Sequence, residues 1–80
     1  MDTHEAIRAM MEGSRISGRA LSVAMGKHPN FVSSTLTKGS VPRVDTLARM
    51  ADVMGYRLVL EGRGERIPID PPAPEGGEGR

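Results

Sequence analysis

Residues 17–39 read SGRALSVAMGKHPNFVSSTLTKG, and the fold follows from how this stretch is punctuated. The side-chain oxygen of Ser17 can accept from the free N–H groups of a helix that starts behind it. Ile16 and Leu21 stand at the N′ and N4 positions of a hydrophobic staple around the same start. The spacing predicts a short helix over 18–25. Gly26 stops it, because a left-handed residue costs glycine little. Pro29 suits the first position of a second helix, where its missing N–H had no partner to lose, and Val32 and Leu36 give that helix a buried side. A helix over 29–37 is predicted, broken by Gly39 and Ser40.

Outward from this pair, Asp2 and Glu5 have the spacing of a capping box, and Ala6, Ile7, Met10 and Met11 recur at helical intervals. They predict a first helix over 3–12, with Gly13 as its stop. On the other side Pro42 punctuates a loop, and Val44, Leu47, Ala48, Met50, Ala51 and Met54 trace one apolar stripe before Gly55. A fourth helix over 43–54 is predicted. Tyr56, Leu58 and Leu60 alternate with Arg57 and Val59, the period of a strand, over 56–61. The rest, EGRGERIPIDPPAPEGGEGR, lacks the bulk for a core of its own. Ile67 and Ile69 stand apart in it, as a hairpin strand turned back through Gly62 and Gly64 or as an extended arm. Pro68 would hold such a strand to an edge. The expected fold class is therefore mainly α: four short helices, a C-terminal β-strand and a flexible tail. Residues 1–61 form the domain and 62–80 a Gly/Pro-rich acidic tail or arm.

A chain of 80 residues with ten glycines and six prolines supports one small domain. Such a domain is marginal without a disulfide, metal or partner. Cysteine is absent, which excludes disulfides and thiolate metal sites. His4 and His28 alone make a structural zinc site improbable, and no metal or other cofactor is expected. No apolar run has membrane-spanning length and no charged-then-apolar leader opens the sequence, so a cytoplasmic protein is expected. The net charge of +1 hides an asymmetry. Between Glu12 and Asp45 no acid occurs, while Arg15, Arg19, Lys27, Lys38 and Arg43 make that window +5. Residues 61–80 set three arginines against five acids, a net of −2. A basic face with an acidic tail suits a polyanionic partner, and it also suits a solvated surface.

Two short helices joined by a glycine-containing turn make a helix-turn-helix unit, whose second helix can lie in a DNA major groove. In Leu21, the small Ser22 four residues before Gly26, Val32 six after it, Gly39, and the following VPRVDTLARMADVMGY (41–56), the chain resembles the lambda-repressor-like (Cro/XRE) helix-turn-helix family over residues 3–60. It departs from that pattern in a Gly26-to-Gly39 interval one residue longer than usual, in Lys27 at a turn position usually apolar, and in a strand where a fifth helix is frequent. The resemblance implies a DNA-binding regulator with no catalytic residues. Positions of the second helix not used by Val32 and Leu36 become readers of base edges: His28, Asn30, Ser33, Ser34 and Thr37. The Asn30 amide can donate to and accept from one adenine edge, or it can merely cap or solvate its helix. His28 is a donor to guanine or phosphate, or the helix cap. Phosphate contacts are expected from Ser17 and Arg19 at the start of the first unit helix and from Lys38, Ser40 and Arg43 after the second, while Lys27 serves either phosphate or solubility. Arg15 serves either phosphate or solubility. Phe31 and the six methionines read as core.

A lone strand leaves unpaired backbone groups, so Tyr56, Leu58 and Leu60 are expected to pair with their twins across a two-fold axis, or else with Glu65 to Ile69 of the same chain. The first arrangement sets two reading helices about one DNA turn, roughly 34 Å, apart on a palindromic operator. The leading functional expectation is a sequence-specific double-stranded DNA-binding repressor acting as a homodimer. Two others stand beside it: an antitoxin whose C-terminal arm folds on a toxin, and a protein-binding module that has kept only the fold. An enzyme is not expected, since no Ser/His/Asp or Cys/His constellation and no phosphate loop occurs.

Overall fold

The structure is a computed structural model, and it describes residues 1–72. The chain runs α1 (Thr3–Ser14), α2 (Gly18–Ala24), α3 (Phe31–Lys38), α4 (Val44–Val53), β1 (Leu58–Gly62) and β2 (Glu65–Ile69). The expected class holds: four helices, then strand at the C-terminal side. No helix is long and apolar enough to cross a membrane. Residues 73–80, the end of the expected tail or toxin-binding arm, lie outside the described residues.

Asp2 and Glu5 close the capping box reciprocally, each backbone N–H reaching the other's carboxylate at 2.9 Å. The helix then runs through Gly13 and ends at Arg15, whose φ of 58° is left-handed. Gly13 is therefore not the stop. Its lack of a side chain serves a close approach instead, because a Cβ there would meet the Tyr56 hydroxyl. Ser17 caps α2 as its position predicts, accepting from Ala20 N–H at 3.0 Å. Gly26, at φ 76°, turns the chain after it.

The second unit helix begins two residues later than expected. Phe31 N–H donates to His28 O at 2.9 Å, and Asn30 sits at φ −93°, ψ 5°, so His28–Phe31 form a type I turn with Pro29 at its second position. The fixed φ of proline serves this turn as well as a first helical position, which is why the sequence pattern alone favoured the earlier start.

The core gathers Ile7, Leu21, Met25, Val32, Met50 and Met54, with Met10, Met11, Ile16, Phe31, Leu36 and Leu47 packed around it. Five of the six methionines thus fill core space, and Met1 is exposed. Phe31 is half-buried against the cluster, as expected. Val44, counted in the α4 stripe, is instead exposed at the first position of α4, whereas Leu47 one turn on packs against the core.

Tyr56 does not belong to the strand. Its N–H donates to Ala51 O at 2.7 Å and closes the end of α4. The strand starts at Leu58 and pairs with β2 of the same chain in the register Leu58↔Ile69, Leu60↔Ile67, Gly62↔Glu65. Of the two partners open to it, the intrachain segment thus takes one edge. Residues 62–69, assigned to the tail, are consequently part of the folded unit. The connection is Arg63 and Gly64, with φ 52° and 73°, the paired positive values of a type I′ turn that matches strand twist.

Candidate nucleic-acid interface

The relation between α2 and α3 rests on one buried hydroxyl. Ser22 is the only buried polar residue among the described residues, and its Oγ donates to Gly18 O at 2.7 Å while accepting from Val32 N–H at 3.0 Å. Val32 is the second residue of α3, where a backbone N–H has no partner within its own helix. A residue of α2 therefore caps α3. Asn30, at the N-cap position, makes no side-chain capping bond. Its exposed amide is left with both donor and acceptor uncommitted, so it does not cap α3 and is open to water or to a base.

His28 is set two residues before the N-cap, and its Nδ1 accepts from Asn30 N–H at 3.1 Å. In the neutral ring the proton then sits on Nε2, which can donate outward. Hence His28 does not cap α3 but holds the turn that presents Asn30. Ser33 donates from Oγ to Asn30 O at 3.2 Å.

To one side of Val32 and Leu36, α3 borders an open groove lined by His28, Asn30, Phe31, Ser34, Thr35, Lys38 and Ser40. Five of these were expected as DNA contacts, and the structure brings them to one surface. Ser33 and Thr37 are exposed on the same helix but do not line the groove. Thr35 and Phe31 line it unforeseen. At 100° per residue they fall on the flank between the core side and the outer side, so helical periodicity marks them only as borderline. Ser40 is held from behind by His4, whose Nε2–H donates to Ser40 O at 2.6 Å and ties the α3–α4 loop to α1.

The cations surround this groove unequally. Lys38 lines it, and Lys27 lies over the Phe31 ring with Nζ 5.5 Å from the centroid. Arg19 is exposed on α2. Ser17 Oγ accepts from Ala20 N–H, which leaves its O–H as a donor that a phosphate oxygen can accept from. Arg43 pairs with Asp45 at 3.4 Å, but its side chain is 84% exposed, and an ion pair so open contributes little and exchanges readily for another anion. Taken together, the geometry offers a polar helix face with one bidentate amide, a fixed imidazole and flanking cations. It contains no carboxylate along the whole of α2, the turn and α3.

No protein-family model matches the chain, and neither the curated proteins nor the solved structures return a match to it.

Proposed function

We propose that this chain is a sequence-specific double-stranded DNA-binding regulator, a repressor that occludes a promoter, with α3 entering the major groove. The observation that carries the reading is the release of the Asn30 side chain: Ser22 caps α3 from the neighbouring helix, so the amide is free to pair with a base. An asparagine bidentate to adenine is worth about 1–3 kcal/mol of discrimination against other bases. Lys27, Lys38, Arg19 and Arg43 supply the sequence-independent attraction to phosphate, and with it a steep salt dependence. The chemistry requires no catalysis. We further propose that it acts as a homodimer on a palindromic site, and the resemblance of residues 3–60 to the Cro/XRE family favours the same reading.

Selection of bound duplexes from a random pool tests it. A single enriched half-site, repeated about a two-fold, is the expected outcome. Lys38→Ala or Arg43→Ala should then weaken binding to all duplexes alike and lower the salt slope by about one. Asn30→Ala should cost most on the selected site and relax choice at one base pair. No enrichment, and no retardation of duplex DNA at low salt, would refute the reading and leave the protein-binding module as its successor.

A further inference from the structure

Phe31 and Thr35 form an apolar strip in a groove whose other walls are polar, and we propose that this strip reads the 5-methyl group of a pyrimidine in the base pair next to the one that Asn30 reads. The inference rests on the regulator reading and names a specificity element within it.

Hydrogen-bonding side chains account for the two ends of the groove but not for its middle. His28 and Asn30 stand at one end, before the first residue of α3, and Lys38 and Ser40 at the other. Between them Phe31 and Thr35 are spaced i, i+4, so their side chains neighbour one another on one side of the helix. Both are half-buried. Phe31 packs against the core cluster, and Lys27 Nζ lies over its ring, 5.5 Å from the centroid. A ring packed on the core and overlain by a cation has little freedom left to lose when a base meets it.

The major-groove edge of DNA offers one apolar feature, the C5 methyl of thymine, and phenylalanine and the threonine methyl are among the groups suited to it. The competing ligand at this position is the amino group of cytosine, which calls for an acceptor such as a carboxylate. None of the groove residues carries a carboxylate. Placed against the Phe31 ring, that amino group would give up water without gaining a bond, which disfavours C·G at this pair.

The spacing selects the adjacent base pair. With α3 lying along the groove, the centre of the Phe31–Thr35 strip falls about 4.5 Å beyond Asn30, at 1.5 Å per residue. Successive bases of one strand are roughly 3.4 Å apart, so one base step is the nearest match. The same strip admits two ligands, because 5-methylcytosine carries its methyl at the ring position of the thymine methyl. A C·G pair here would therefore be bound more tightly once methylated, and the chain would respond to cytosine methylation of its site.

Gel retardation of the duplex selected from the random pool, with each thymine replaced in turn by deoxyuridine, tests this. At the pair beside the one whose choice Asn30→Ala relaxes, loss of the methyl should weaken binding about fourfold, the worth of one buried methylene. With C·G installed there, 5-methylcytosine should bind about fourfold better than cytosine. Thr35→Ser keeps the hydroxyl and drops the methyl, and should lower the thymine-to-deoxyuridine ratio to about twofold or less. Thr35→Val keeps the methyl and should preserve the ratio. Retardation with equal affinity for thymine and deoxyuridine at every position overturns this inference and leaves the regulator reading standing. A thymine preference that Thr35→Ser leaves unchanged overturns it as well. A protein that retards no duplex overturns both.

Discussion

Replacing Ser22 by alanine removes one atom pair from the core and exposes how α3 is held. The Gly18 carbonyl loses a 2.7 Å bond but keeps the backbone bond of its own helix, so that loss is small. Val32 N–H is in a different position. Its 3.0 Å bond to Ser22 Oγ has no replacement, and Val32 is fully buried, so water cannot reach it without opening the α2–α3 contact. An orphaned buried donor costs about 1–3 kcal/mol, and removal of one oxygen leaves a void too small to relieve it. In a domain of this size each kcal/mol lowers the melting temperature by about 4–8 °C, so about 2 kcal/mol corresponds to a fall of about 8–16 °C. Thermal unfolding by circular dichroism measures this. Hydrogen exchange localises it: the Val32 amide should lose protection while amides in the middle of α4 lose only what the global destabilisation imposes. A Ser22→Ala protein that melts with the parent, with Val32 still protected, would refute the idea that Ser22 caps α3, and with it the account of why the Asn30 amide is free.

Two further stability predictions follow from backbone geometry. Gly13→Ala should be more favourable, by roughly 0.5 kcal/mol or more, in a Tyr56→Phe background than in the parent, because the hydroxyl that meets the new Cβ is then gone and the nearest ring carbon lies at 3.5 Å. A double-mutant cycle on melting temperatures checks it, and zero coupling would mean that Tyr56 does not rest on Gly13. Arg63→Asn should raise stability by up to about 1 kcal/mol, since asparagine tolerates the φ of 52° that arginine adopts here. Denaturant midpoints with an unchanged m-value are the measure, and a loss of stability would show that the Arg63 side chain contributes a contact of its own.

The devices that could be read from the chain are those whose physics is local. Asp2 with Glu5, Ser17 before Ala20, and glycine after α2, α3 and α4 each act within a few residues, and each is found where its spacing places it. The polar outer face of α3 was legible in the same way, because Val32 and Leu36 mark the inner one. What went astray was ambiguous at short range. Gly13 and Pro29 each satisfy two local rules, stop or close approach for one, helix start or turn for the other. Tyr56 continues an alternating pattern that its neighbours obey, but its N–H is already committed to Ala51.

Sequence alone determined that this chain makes four short helices with a glycine turn at the centre and a strand after them, since capping, periodicity and left-handed glycines are properties of neighbouring residues. Only the tertiary structure decided that α3 is capped from α2, that Tyr56 lies on Gly13, and that β1 pairs with β2 of the same chain. The first two rest on groups that local patterning does not bring together, Val32 N–H with Ser22 Oγ ten residues away and Tyr56 with Gly13, and they are decided when the core closes around Leu21, Val32 and Met50.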